Sequence, residues 1–150
     1  MFSLEPAFNF QQFDRELEEN FNGLVAEIAQ ALFETGVKLV DLARMKTKSD
    51  GGFGNVTFDL RASIGCVLVL NSQISEDHIY FPQIAESSDG HTTGLNFARE
   101  VAFLVDEGEP VLVFSAGQEY AFILESKGID VITGSSLHFE SEFKRLINQL

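Results

Sequence analysis

A chain of 150 residues matches one ordinary domain, and at that size about 70% of the unfolded surface is buried without a metal or a disulfide. Its formal net charge is −13, and its aromatic residues are fifteen Phe and two Tyr with no Trp. Such acidity speaks against nucleic-acid binding, where Lys and Arg replace condensed counterions, and against anionic lipid surfaces.

The opening MFSLEPAFNF lacks a basic n-region and a long apolar core, so it does not read as a signal peptide. No stretch approaches the roughly 20 apolar residues of a membrane span. A cytoplasmic protein is expected unless a particle carries it out. Residues 1–37 carry seven acids and one base, residues 38–48 sum to +3, and residues 49–150 sum to −10. Lys38, Arg44, Lys46 and Lys48 therefore form the one basic cluster of an acidic chain.

From Phe10 to Lys46 apolar residues recur in steps of three, four or seven, through Phe13, Leu17, Phe21, Leu24, Ile28, Leu32, Leu39 and Ala43. That spacing predicts one long helix, with acids near its start and bases at its end as the macrodipole favours. Gly23 and Gly36 weaken it by about 1 kcal/mol each relative to Ala, and Gly36 marks a candidate break. At ~1.5 Å per residue this helix is about 55 Å long, longer than such a domain is wide. Part of it is expected to pack outside its own domain.

Residues 49–55 read as a flexible glycine-rich loop, and Val56 to Leu70 as a strand. Asn71 to Gly94 reads as a long loop, functional or ordered only on binding. Leu95 to Glu107 is expected to be helical, Val111 to Ser115 a buried strand, and Tyr120 to Lys127 either helix or strand. Gly128 stops that element, Ile129 to Thr133 reads as a last strand, and Ser135 or Ser136 caps a C-terminal helix. The order predicts a single α+β domain over residues 1–150. It would have a long N-terminal helix, a small mainly antiparallel sheet and a C-terminal helix packed on it.

No set of residues reads as catalytic, and neither a cofactor nor a metal site is expected. Gly51-Gly52-Phe53-Gly54 lies between a helix and a strand, the reverse of a phosphate loop, and no Lys-Ser/Thr follows it. The acids Asp50, Asp59, Glu76, Asp77 and Asp89 lack calcium-loop spacing, and His78, His91 and His138 are scattered. Cys66 sits in an apolar run, as a buried hydrophobe does, and alone it excludes an internal disulfide.

Two segments resemble the head–tail joining, neck or tail-completion proteins of long-tailed phages. That family has a long N-terminal helix with a basic end, a flexible loop, and a strand opened by Thr-Gly-x-Leu-Arg-x-Ser-Ile. Here the strand segment reads Thr57-Phe58-Asp59-Leu60-Arg61-Ala62-Ser63-Ile64. Farther on, the family's Tyr-Ala-x-x-Val-Glu and glycine correspond to Tyr120-Ala121-Phe122-Ile123-Leu124-Glu125 and Gly128, before a C-terminal helix. The resemblance covers residues 25–66 and 111–150. Phe58 departs from it, standing where the family usually has Gly.

The resemblance implies a non-enzymatic virion protein, assembled in the bacterial host as a ring of six or twelve copies. Its partners would be other neck, portal or tail proteins, with no sequence-specific nucleic acid and no membrane. Independently, the charge partition suggests that Lys38, Arg44, Lys46 and Lys48 meet Asp106, Glu107 and Glu109 of a neighbour, head to tail. On that reading, reversing Lys46 and Lys48 to Glu impairs assembly and leaves the chain folded. The alternative function is a small acidic, immunity-type inhibitor covering a basic partner, which the charge favours.

Overall fold

The protein's computed structural model describes residues 9–54, 58–105 and 108–150. Helix α1 (Phe10–Met45) begins at Asn9, whose side-chain oxygen accepts from the amides of Gln11 and Gln12. It runs unbroken through both glycines, so the break marked at Gly36 does not occur. The reason is close packing. A Cβ at Gly36 would lie 2.6 Å from Leu112 Cδ1 and 2.9 Å from Cys66 Sγ. Only a residue without a side chain lets α1 approach the sheet this closely.

The sheet has the order β2-β1-β3, with β1 (Ile64–Leu70) antiparallel to both β2 (Gln73–Tyr80) and β3 (Val111–Ala116). Alternation along the buried β1 divides the core in two. Ile64 and Cys66 join Val40 and Ala43 of α1 on one face. Val67 and Val69 join Ala98 and Ala102 of α3 (Gly90–Ala102) on the other. The short helices α4 (Tyr120–Ser126) and α5 (Thr133–Ser136) lead to α6 (Phe139–Ile147), which lies against α1. The architecture is α+β: a long N-terminal helix, a small antiparallel sheet and a C-terminal helix that packs against α1.

Several sequence expectations require correction. Of the strand expected over Val56 to Leu70, Val56 and Thr57 lie outside the described residues, and the part from Asp59 becomes strand only at Ile64. Helix α2 (Asp59–Ala62) precedes it, and Leu60 reaches the core from that helical turn. The long loop over 71–94 contains β2 and the start of α3. Asn71 and Ser72, at φ 50° and 63°, make the two-residue left-handed turn joining β1 to β2. The glycine-rich loop is pinned rather than free: the Asp130 amide donates to the Gly51 carbonyl, and Gly52 bridges Asp130. That isolated bridge replaces the strand expected over Ile129–Thr133, and the C-terminal helix starts at Phe139, after Ser135 and Ser136.

Burial along α1 changes abruptly. From Ala29 onward its residues enter the core, among them Ala31, Thr35, Leu39, Val40 and Ala43. Before Val25 every described residue is exposed, including Leu17 at 57%, Phe21 at 64% and Leu24 at 51%. The same apolar stripe is thus covered in the second half and exposed from Leu17 to Leu24 in the first. The first half forms an arm.

Replacing Gly36 by Ala is expected to lower unfolding stability by about 1–3 kcal/mol, because β1 and β3 leave no room for a methyl group. Gly23→Ala, whose Cβ meets nothing within 4 Å, should be neutral or gain up to about 1 kcal/mol. Urea titration of both variants checks this; an unchanged midpoint for Gly36→Ala contradicts the packing argument.

Candidate functional site

Where α1 ends, several chain segments meet around a cleft of about 780 Å³. Lys46 leaves the helix with extended backbone, and Lys48–Asp50 form a single 3-10 turn. Asp50 closes that turn by accepting from the Thr47 amide and hydroxyl, at 3.0 and 2.7 Å. Arg61 of α2 donates to the Lys46 carbonyl at 2.9 Å, placing a cation at the negative end of α1. The same guanidinium lies 4.8 Å from the centre of the buried Phe53 ring.

The opposite wall comes from α4 and its exit. Gly128, at φ 78°, ends α4 in a left-handed cap: its amide reaches the Glu125 carbonyl, and the Ile129 amide reaches Leu124. Phe58, Tyr120, Leu124 and Ile129 are among its apolar lining, with Leu60 buried beneath, and Lys48 and Arg61 bring positive charge. Phe58 itself has φ 62°, a left-handed conformation that costs a side-chain-bearing residue about 1–2 kcal/mol.

Contacts outside the cleft fix its shape. Glu125 Oε1 accepts from the amides of Val131, Ile132 and Thr133 at 3.0, 2.8 and 3.1 Å. Burial alone would raise this carboxyl, but the backbone donors outweigh it and hold it below the usual carboxylate range. Asp130 behaves likewise: burial opposes its charge, while its ion pair with Lys46 and the Gly134 amide favour it, and its pKa is lowered. Ser63 is buried and donates to the Leu60 carbonyl, while Ile64 and Ala121 pack in the core.

Of the motif residues, Leu60, Arg61, Tyr120 and Gly128 therefore converge on one cleft, and Ser63, Ile64, Ala121 and Glu125 support it from behind. Thr57 lies outside the described residues. Phe53, Phe58, Leu124 and Ile129 were not singled out in the sequence as site residues; aromatic residues flanking the glycine loop were the available signal.

The basic cluster is dispersed. Lys46 pairs with Asp130 of its own chain, and Arg44 donates to the Pro82 carbonyl at 2.8 Å. Lys38 and Lys48 are exposed and form no ion pair among the described residues. Glu109 is exposed, and Asp106 and Glu107 lie outside the described residues. Reversal of Lys46 would set two carboxylates against each other, so Lys48→Glu alone is the variant that leaves the fold intact.

His78 and His91 do not share a site. His78 bonds to Ser75 and to Gln30 of α1, whereas His91 packs edge-on against Phe81. Among the described residues, no group of three or more His, Cys, Asp or Glu is placed to hold a metal ion. Burial pushes the Cys66 thiol up to about 12, with the Asp41 charge adding to the shift. No helix among the described residues is long and apolar enough to cross a membrane.

Glu125→Gln should lower stability at pH 7 by about 1–3 kcal/mol, through weaker bonds to the three amides. Because the folded carboxyl titrates below its unfolded value near 4.3, its contribution is complete above that value. It fades as pH falls through the folded pKa, so the gap between variant and parent should close in acid. A gap equal at pH 7 and pH 3 contradicts this role. No family model matches the chain, and no curated protein or solved structure matches it.

Proposed function

We propose that this protein is a structural virion component of a tailed phage. It would be a subunit of a neck, head-to-tail connector or upper-tail ring of six or twelve copies. Such a ring joins the portal to the tail and leaves a channel for DNA, and it performs no catalysis. The observation that carries the reading is the exposed arm of α1. A long apolar stripe left in water by its own domain suits a subunit completed by its neighbours.

Two local features support the family resemblance behind it. Phe58 occupies the position where the family pattern has Gly, and its backbone is left-handed, the conformation glycine adopts without a Cβ penalty. The two motif segments, about sixty residues apart in the chain, line one cleft. A surplus of acidic side chains around a channel would repel DNA phosphates and keep the passing duplex from adhering.

The net charge of −13 is the feature that favours the alternative, an acidic immunity-type inhibitor, which would be a monomer with one basic partner. Peptide mass spectrometry of purified phage particles separates the two. A low, fixed copy number near six or twelve per particle is expected. Absence from particles, with abundant protein in cells, overturns the phage reading and leaves the inhibitor in its place.

A further inference from the structure

The exposed arm and the apolar cleft lie at opposite ends of one helix. Phe21 is 24 positions before Met45, about 36 Å along α1 at ~1.5 Å per residue, and the cleft opens beside Lys48, just past that end. No break or hinge interrupts the helix between them. The arm therefore cannot fold back into the cleft of its own chain. Two complementary surfaces held at opposite ends of a rod meet only between copies, head to tail.

Their chemistry matches. The arm presents Leu17, Phe21 and Leu24 on one side, and the cleft presents Phe58, Tyr120 and Leu124. Helical spacing places Asp14 and Glu18 on one flank of the stripe and Glu16 and Glu27 on the other. Over residues 10–28 the arm carries five acids and one base. Arms paired side by side would bring these acidic flanks together, whereas the cleft rim offers the exposed Lys48 to them.

Resting on the ring reading above, we infer that the α1 arm of one subunit seats Leu17, Phe21 and Leu24 in the cleft between α2 and α4 of the next copy. The contact is heterologous, so it propagates around a ring and closes when the last arm meets the first cleft. It also gives the strained Phe58, which lines the cleft, a place in the interface.

Thiol cross-linking of full-length protein tests the contact, because Cys66 is fully buried and leaves a silent background. Phe21→Cys and Tyr120→Cys change exposed positions, so neither should disturb folding. Mixed and oxidised, the two variants should yield a disulfide-linked dimer at least ~10-fold more abundantly than either alone. A chain carrying both substitutions should give a ladder ending at a closed ring. Efficient cross-linking of the Phe21→Cys chain to itself, with nothing added by mixing, overturns the inference in favour of arm-to-arm pairing. No cross-link in protein that is oligomeric also overturns it. As a second readout, Phe21→Ser with Leu24→Ser should keep the circular dichroism of the parent and weaken self-association about 10-fold or more. Fixed copy number in particles without arm-to-cleft cross-links removes the inference and leaves the ring reading; cross-links in a protein absent from particles do the reverse.

Discussion

The approach of α1 to the sheet at Gly36 governs the rest of the molecule. Leu112 of β3 and Cys66 of β1 occupy the space a side chain would need, so the helix lies directly on the strands. That contact anchors the second half of α1 through Leu39, Val40 and Ala43, all nearly inaccessible to solvent. With the second half fixed and no hinge before it, the direction of the first half is fixed as well. The same anchoring sets where the helix ends, and that end is one wall of the cleft.

The cleft is built by local polar contacts that restrain short segments lacking a core of their own. Asp130 touches α1 through Lys46, the glycine loop through the Gly51 carbonyl, and the start of α5 through the Gly134 amide. Glu125 collects three amides where the chain enters α5. Both carboxylates are drawn into half-buried positions by donors, which is why their pKa values fall although burial alone would raise them. Lysines that read in the sequence as a free patch are in part consumed here: Lys46 serves its own fold, and Lys48 remains at the rim.

Strong periodicity made the long helix legible, since its apolar residues recur over ten turns. Periodicity identifies a face and not its cover, so the sequence alone could not say where the body ends and the arm begins. The helical turn of α2 was hidden because Val56 to Leu70 is rich in β-forming residues. Leu60 and Ile64, four apart, nevertheless both reach the same core cluster. Strand β2 was hidden for the opposite reason. It lies at the sheet edge, where Glu76 and Asp77 face water and blunt the edge, and its Asn71-Ser72 turn lacks glycine. The cleft was the least legible feature, because its walls come from segments far apart in the chain.

Half of α1 stands outside the body, and the account requires that a second copy covers it. Hydrogen–deuterium exchange across Leu17 to Leu24, compared between dilute and assembled protein, measures that cover directly. The account predicts rapid exchange in the dilute chain and strong protection on assembly, with matching protection around Phe58 and Tyr120. Equal exchange of the arm in both states would contradict it.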